Sequence, residues 1–307
     1  MKYGSYLFSC VVREGGRLPP FKGSAFRGAF GHSLKKVVCA VRHKECRDCL
    51  LNRRCLYARV FETPPPAGNG GRSRLAAPPH PYVIKPPLSP RTDFAPGEDF
   101  DFALLLFGEF NDYLPYFIYA FEEMGRTGLG KRNQPVICHL DRITAQGTEI
   151  YSGADRELLP GDWTDNAFLE TEPPPAVEGL KVSFLTPLRL KFDNRLSDDL
   201  PFHILIRAAL RRISSLFETF GAGEPSIDYK GLVHGAEKIR TAHKNLRWID
   251  IKRYSSRQEQ EMLIGGVTGD ILYQGEIAPY LPVLKLAERF HLGKQTAFGL
   301  GWIELEF

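Results

Sequence analysis

Twice along this chain a helical stretch runs into a glycine-rich loop that carries Gly-Leu-Gly and then enters a strand. The first loop is Gly125-Arg126-Thr127-Gly128-Leu129-Gly130-Lys131, and the second is Gly293-Lys294-Gln295-Thr296-Ala297-Phe298-Gly299-Leu300-Gly301. Glycine reaches positive φ without a steric penalty, so each loop reads as a tight helix-to-strand connection. In each half a strand also precedes a helix, and a later helix feeds the loop. That order describes one βαβ-type unit used twice.

The remaining pattern fits two such units. Tyr6 to Val12 reads as a strand, followed by the turn-rich Gly15-Gly16-Arg17-Leu18-Pro19-Pro20. A helix then starts near Ser24, a good N-cap. Phe26, Phe30, Leu34, Val37 and Val41 form its buried stripe, with Gly28, His32 and Lys35 on the opposite face. Thr63 to about Gly97 is rich in proline and glycine and reads as a long connection, with a short apolar piece at Tyr82-Val83-Ile84. Phe100 to Phe107 is a strand. Leu114, Phe117, Ile118, Phe121 and Met124 mark a second helix that Gly125 ends. Thr171-Glu172-Pro173-Pro174-Pro175 is the linker, because proline neither joins a ladder nor continues a helix.

After the linker come a strand over 180–190 and a helix beginning at Pro201, with Asp198 and Asp199 favourable near its start. Leu246–Tyr254 and Leu263–Gln274 pair as a hairpin. A last helix covers about 279–290, and a last strand covers 302–307. The fold class is α+β: tandem ferredoxin-like (RRM-like) domains over 1–170 and 180–307, with a cysteine-rich insertion at about 39–60 in the first.

Composition bounds the function. With 43% apolar and 25% charged residues among 307, the chain can bury a core, and its formal net charge is only +4. A polyanionic partner must therefore be argued from local clusters. No apolar run of about 18 residues exists, so no membrane partner is expected. The first residues lack a secretory pattern, which makes the expected location cytoplasmic. Four of the six cysteines crowd together as Cys39, Cys46, Cys49 and Cys55, spaced C-x6-C-x2-C-x5-C. Four thiolates this close can surround one tetrahedral ion, zinc first and an iron–sulfur cluster as the alternative. Cys10 and Cys138 sit in apolar strands and read as core. The paired acids Glu122-Glu123 and Asp198-Asp199 read as surface or capping charges. No serine–histidine or metal-hydrolase constellation stands out.

The second glycine loop matches neither the phosphate loop of nucleotide hydrolases nor the dinucleotide fingerprint, since it follows a helix and enters a strand. Upstream of it runs a basic stretch, Lys238, Arg240, His243, Lys244, Arg247, Lys252, Arg253 and Arg257, interleaved with Trp248 and Tyr254. Cations neutralise phosphates and aromatic faces stack bases.

The tail His291-Leu292-Gly293-Lys294-Gln295-Thr296-Ala297-Phe298-Gly299-Leu300-Gly301-Trp302 resembles the C-terminal signature of the RAMP superfamily of CRISPR-associated proteins. Within it, the tail is most similar to the endoribonucleases that process CRISPR repeat RNA. Arg253-Tyr254-Ser255-Ser256-Arg257, Gly265-Gly266-Val267-Thr268-Gly269, Tyr273-Gln274-Gly275 and Phe26-Arg27-Gly28-Ala29-Phe30-Gly31-His32 resemble the same family. The specific part covers roughly the last 60 residues.

The resemblance implies two ferredoxin-like domains and site-specific cutting of repeat RNA (precursor crRNA) without a catalytic metal. The ribose 2′-hydroxyl attacks the adjacent phosphate and leaves a cyclic phosphate. It implies His32 as the acid–base group, with Lys35 and Lys36 one turn on, and His291 and His243 as rivals. Arg27, Arg240, His243, Lys244, Arg247, Lys252, Arg253, Arg257, His291, Lys294, Gly299 and Gly301 are the RNA-binding set. The alternative is a RAMP subunit that only binds guide RNA within a CRISPR effector complex. A further alternative is a zinc-stapled interaction module.

Overall fold

The computed structural model describes residues 1–41, 43–64, 78–170, 176–192, 195–196, 199–255 and 260–307. The predicted linker 171–175, Asp198 and Arg257 lie outside them. The chain divides into two compact units, Met1–Asn166 with Thr219–Gly221, and Ala167–Glu218 with Ala222–Phe307. Among the described residues no helix is long and apolar enough to cross a membrane.

In the first unit β1 (Lys2–Glu14) leads to α1 (Gly23–Val38), β2 (Tyr82–Lys85), β3 (Asp99–Phe107), α2 (Leu114–Thr127) and β4 (Ile137–Ala145). The strands pair antiparallel in the order β2-β3-β1-β4, the ferredoxin-like arrangement, and β5 (Thr148–Ser152) extends the β4 edge. Alternate strand residues share a face. One face of β1 and β3 therefore brings Phe8, Phe102 and Leu104 against the helices. Phe26 and Phe30 of α1 and Phe117 and Phe121 of α2 meet them, all at most 3% exposed. Phe30 and Phe121 stack with ring centroids 4.6 Å apart, and Phe8 and Phe102 at 4.9 Å.

The second unit repeats the plan. Its elements are β6 (Gly179–Leu188), α3 (Phe202–Phe220), α4 (Tyr229–Ala236), β7 (Arg240–Ser255), β8 (Gln260–Gln274), α5 (Leu281–Phe290) and β9 (Ile303–Glu306). The antiparallel order is β7-β8-β6-β9, the same permutation. The recurrence of the glycine loop thus reports a recurrence of topology. Of the stripe Phe202, Leu205, Ile206, Ala209, Ile213, Leu216 and Phe220 that helical spacing predicts, the first six are buried and Phe220 is half-buried. Tyr273 is fully buried and donates its hydroxyl to Leu200 O at 2.7 Å, so its polar end is satisfied.

Several expectations need correction. Ser24 does not cap α1. Lys22 holds that position without a side-chain cap, and its buried amine instead donates to Pro20 O at 3.2 Å and Ser89 O at 2.5 Å. Those two carbonyls fix the chain entering the helix. Val41 lies beyond the end of α1. Gly125 does not end α2. It is buried inside the helix, where a Cβ would stand 2.5 Å from Cys138 O, and Gly128 at φ +100° is the C-cap. Tyr82-Val83-Ile84 is no mere connection. It is β2, wholly buried, and it completes the first sheet.

Candidate functional site

Gly28, His32 and Lys36 lie one turn apart on α1 and form its exposed row. A Cβ at Gly28 would meet nothing within 4 Å, so the row is open beside His32. Gly31 does not share that openness. It is buried, with a Cβ position 3.0 Å from Phe61, so it serves packing. Arg27 lies over the Phe61 ring at 5.1 Å, with a guanidinium nitrogen 3.5 Å from His80 Nε2. Lys35 sits 5.5 Å from the Tyr57 ring, a cation–π contact.

Lys36 is not simply a cation held out for phosphate. It forms an ion pair with Glu123 of α2, whose side chain is only 5% exposed. Arg126 bonds the other carboxylate oxygen, and Thr127 adds a bond at 3.3 Å. The Lys36 ammonium, opposed in part by burial and assisted by Arg126, holds the Glu123 carboxyl below its ordinary value near 4.5. The reading of Glu122-Glu123 as surface charges therefore fails for Glu123. The available signal was helical spacing, since Ala120, Glu123 and Thr127 line up beside the apolar stripe.

A folded-state pKa below the unfolded one adds stability above the unfolded value and loses it as pH falls through the folded one. Glu123→Gln is expected to cost about 1–2 kcal/mol at neutral pH. That deficit should shrink as pH falls below about 4.5. Urea midpoints of both proteins between neutrality and pH 3 would check this, and a deficit independent of pH would contradict it.

The second glycine loop is tied down, mostly to the segment 186–189 at the end of β6. Lys294 N donates to Arg189 O, Gly299 N to Thr296 O, Gly301 N to Pro187 O and Trp302 N to Thr186 Oγ1, all between 2.8 and 3.0 Å. The Gly299 and Gly301 amides, predicted to face RNA, are thus spent inside the unit. A Cβ at Gly301 would lie 1.7 Å from Leu292 O. His291 is fully buried at φ +62°, stacked on Trp302 with centroids 5.6 Å apart and Nδ1 3.1 Å from Leu300 O. It braces the loop, and a buried ring offers RNA no surface, which corrects its assignment as an RNA contact. Lys294 is exposed at the loop.

The basic stretch lies on the edge strand β7, where neighbouring side chains point to opposite faces. His243 and Arg247 fall on the face away from the helices, and Lys244 and Lys252 on the other. The stretch is therefore two half-patches. Arg240 bonds Gln274, and Lys244 donates to Asp199 at 2.9 Å. Arg253 packs over the Phe298 ring at 4.8 Å, joining the hairpin to the glycine loop. Cross-strand rows on the open face run His243–Leu272–Lys181–Glu306 and Asn245–Asp270–Ser183–Glu304. Among the described residues these two rows carry carboxylates and no aromatic ring, so they offer no base-stacking platform of the kind that RRM domains use.

Cys39 caps α1 and donates its backbone N–H to Lys35 O. Cys46 begins a tight turn in which Cys49 N donates to Cys46 O, and Cys55 N donates to Leu51 O. Burial pushes the Cys46 thiol up. Lys35 opposes this, and Glu62, Cys55 and Cys39 add to it, which places three of the four thiols in one electrostatic neighbourhood. Among the described residues no three His, Cys, Asp or Glu side chains stand at metal-ligating separation. Cys10 and Cys138 are buried, as predicted for core residues.

Known proteins give this geometry a setting. Residues 1–162 match the family AF_1859_N, described as an N-terminal domain, and residues 182–303 match the family described as CRISPR-associated endoribonuclease Cas6. An uncharacterized protein of Archaeoglobus fulgidus is 28% identical over 290 residues, spanning 94% of this chain and 92% of its own. A Cas6 product complex superposes with TM-score 0.59 at 16% identity, covering 99% of both chains. Thermus thermophilus Cas6 gives 0.55 at 16%, covering 99% of this chain and 98% of that one. A further Cas6 product complex gives 0.54 at 17%, covering 100% of both. At such identities the superpositions establish a shared fold.

Proposed function

Since the chain belongs to the AF_1859_N family and its residues 182–303 match the CRISPR-associated endoribonuclease Cas6 family, we propose that it cuts CRISPR repeat RNA at one position, using His32. The observation that carries this reading is the exposed row Gly28–His32–Lys36, open beside the histidine. In the proposed reaction the 2′-hydroxyl oxygen attacks the neighbouring phosphorus and its proton passes to a base. The bond to the 5′-oxygen breaks, and that oxygen takes a proton. The products are a 2′,3′-cyclic phosphate and a 5′-hydroxyl. Imidazole can take or give a proton near neutral pH. Lys35 and Lys36 would place positive charge near the phosphate. The nucleophile belongs to the RNA itself, so the proposed reaction needs no metal.

Replacing the ribose at the cut with 2′-deoxyribose tests the chemistry. Binding should persist and cutting should stop. Continued cutting of the deoxy substrate would contradict attack by the 2′-hydroxyl.

A second reading is a RAMP subunit that holds guide RNA within an effector complex without cutting. The pairing of Lys36 with Glu123 favours it, because a lysine bound to a carboxylate is less free to follow a reacting phosphate.

We further propose that Cys39, Cys46, Cys49 and Cys55 hold a structural zinc ion, with an iron–sulfur cluster as the alternative. The four soft donors suit either, and a bound cation would favour the Cys46 thiolate, which burial disfavours. When bound, the ion would staple the segment after α1. Purified protein should contain about one zinc per chain, and Cys46→Ser with Cys49→Ser should release it and lower the melting temperature. Metal-free protein with an unaltered melting temperature would contradict this.

A further inference from the structure

The N-terminal unit has a second concentration of charge, in a cavity of about 410 Å³ between α2, the start of β4 and the turn after β5. Arg13 from β1, Arg126 from α2 and Arg156 line it, together with Glu122, Glu123 and His139. Its volume lies within the range of small-ligand sites. The proposed cleavage chemistry leaves it unused.

The two carboxylates are already engaged. Glu123 holds Lys36 and Arg126. Glu122 accepts from Arg156 and from the Tyr151 hydroxyl, each at 2.6 Å. Arg13 is different. Its Nε donates to Nδ1 of His139 at 3.0 Å, and that ring nitrogen must be unprotonated to accept. Among the described residues no carboxylate lies within ion-pair distance of Arg13, and its outer nitrogens remain for another acceptor. The three arginines that line the cavity, Arg13, Arg126 and Arg156, outnumber its two carboxylates and leave a net positive charge there. A phosphate monoester carries about −1.5 to −2 at neutral pH. The guanidinium fork matches phosphate oxygens in pairs. Tyr119, half exposed, also lines the cavity and offers an aromatic ring near any attached base.

We propose that this cavity binds the phosphate of a nucleotide, with Arg13 as the residue that grips it. The phosphate can belong to a free nucleotide or to the terminus of an RNA strand, and the chemistry of recognition is the same. The inference does not depend on His32 or on cutting.

The test uses the full chain. Calorimetry compares AMP with adenosine, and fluorescence anisotropy compares an RNA hexamer bearing a 5′-phosphate with its 5′-hydroxyl form. The phosphorylated member of at least one pair should bind tenfold or more tighter. Arg13→Gln should abolish that preference, whereas Arg13→Lys should keep part of it. Preference in the RNA pair assigns the site to a strand end, and preference for AMP alone assigns it to a free nucleotide. Arg13 is exposed and joins only a neutral ring, so its variants should melt with the wild type, and Arg156→Gln provides an independent variant on another wall. Equal binding within both pairs, or a preference that survives both Arg13→Gln and Arg156→Gln, overturns the proposal. Repeat-RNA cleavage by the same samples is read separately. Loss of phosphate preference with normal cutting bears on this cavity alone, and absence of cutting in the wild type bears on the nuclease reading alone.

Discussion

A His32→Ala variant is expected to cut repeat RNA about 100- to 10,000-fold more slowly than the wild type, the usual contribution of a positioned acid–base group. RNA affinity should change little, because phosphate attraction comes from cations that this substitution leaves in place. Stability should change little as well. His32 is exposed on a helix, and alanine is the better helix former by a few tenths of a kcal/mol. The combination separates chemistry from folding and binding. Single-turnover rates, anisotropy titrations and melting curves on one preparation would measure all three. If the variant cuts at the wild-type rate, His32 is only an exposed charge on α1. His243 then becomes the next candidate, because His291 is sealed inside the second unit.

Gly301→Ala should be the most damaging glycine substitution in the C-terminal loop. Its φ of +73° disfavours any side chain, and a Cβ would stand 1.7 Å from Leu292 O and 2.7 Å from the Leu292 carbonyl carbon. These are backbone atoms, and rotating a side chain cannot relieve the clash. The same two residues tie the loop to the segment after α5, because Leu292 N donates to Gly301 O at 2.8 Å. Backbone strain and overpacking together are expected to cost about 3–5 kcal/mol, enough to unfold a marginal unit. Gly28→Ala supplies the opposite control. Nothing lies within 4 Å of its Cβ position, so alanine there should stabilise α1 by about 0.5–1 kcal/mol. Denaturant midpoints of both variants would check the pair. A mild effect at Gly301 would mean the loop can open, restoring the reading in which its amides meet phosphate.

The architecture was largely legible because it rests on periodicity. The stripes through Phe26 and Phe30, and from Phe202 to Leu216, are buried where 3.6-residue spacing places them. The two glycine loops mark two units with one strand order. Short buried segments were harder. Tyr82-Val83-Ile84 is too brief for a period to show, and the prolines and glycines around it suggested a connection. Ser24 lies inside α1 because the helix begins earlier, at Lys22, whose amine is held by the distant Ser89 O, a contact that local spacing does not show.

The candidate site was legible in outline. The exposed row through His32 follows from the helical wheel. Two features do not follow from it. The Lys36–Glu123 pair joins positions 87 residues apart, and local spacing carries no sign of that contact. The engagement of the Gly299 and Gly301 amides by Thr296 and Pro187 depends on a loop closure that glycine permits and does not specify.

The most direct test of the central claim is incubation of the purified chain with end-labelled repeat RNA in excess chelator. The account predicts one discrete cut, with a 2′,3′-cyclic phosphate on the upstream fragment and a 5′-hydroxyl on the downstream one. Tight, salt-sensitive binding with no cut at any enzyme concentration would contradict it and leave the chain as a holder of guide RNA.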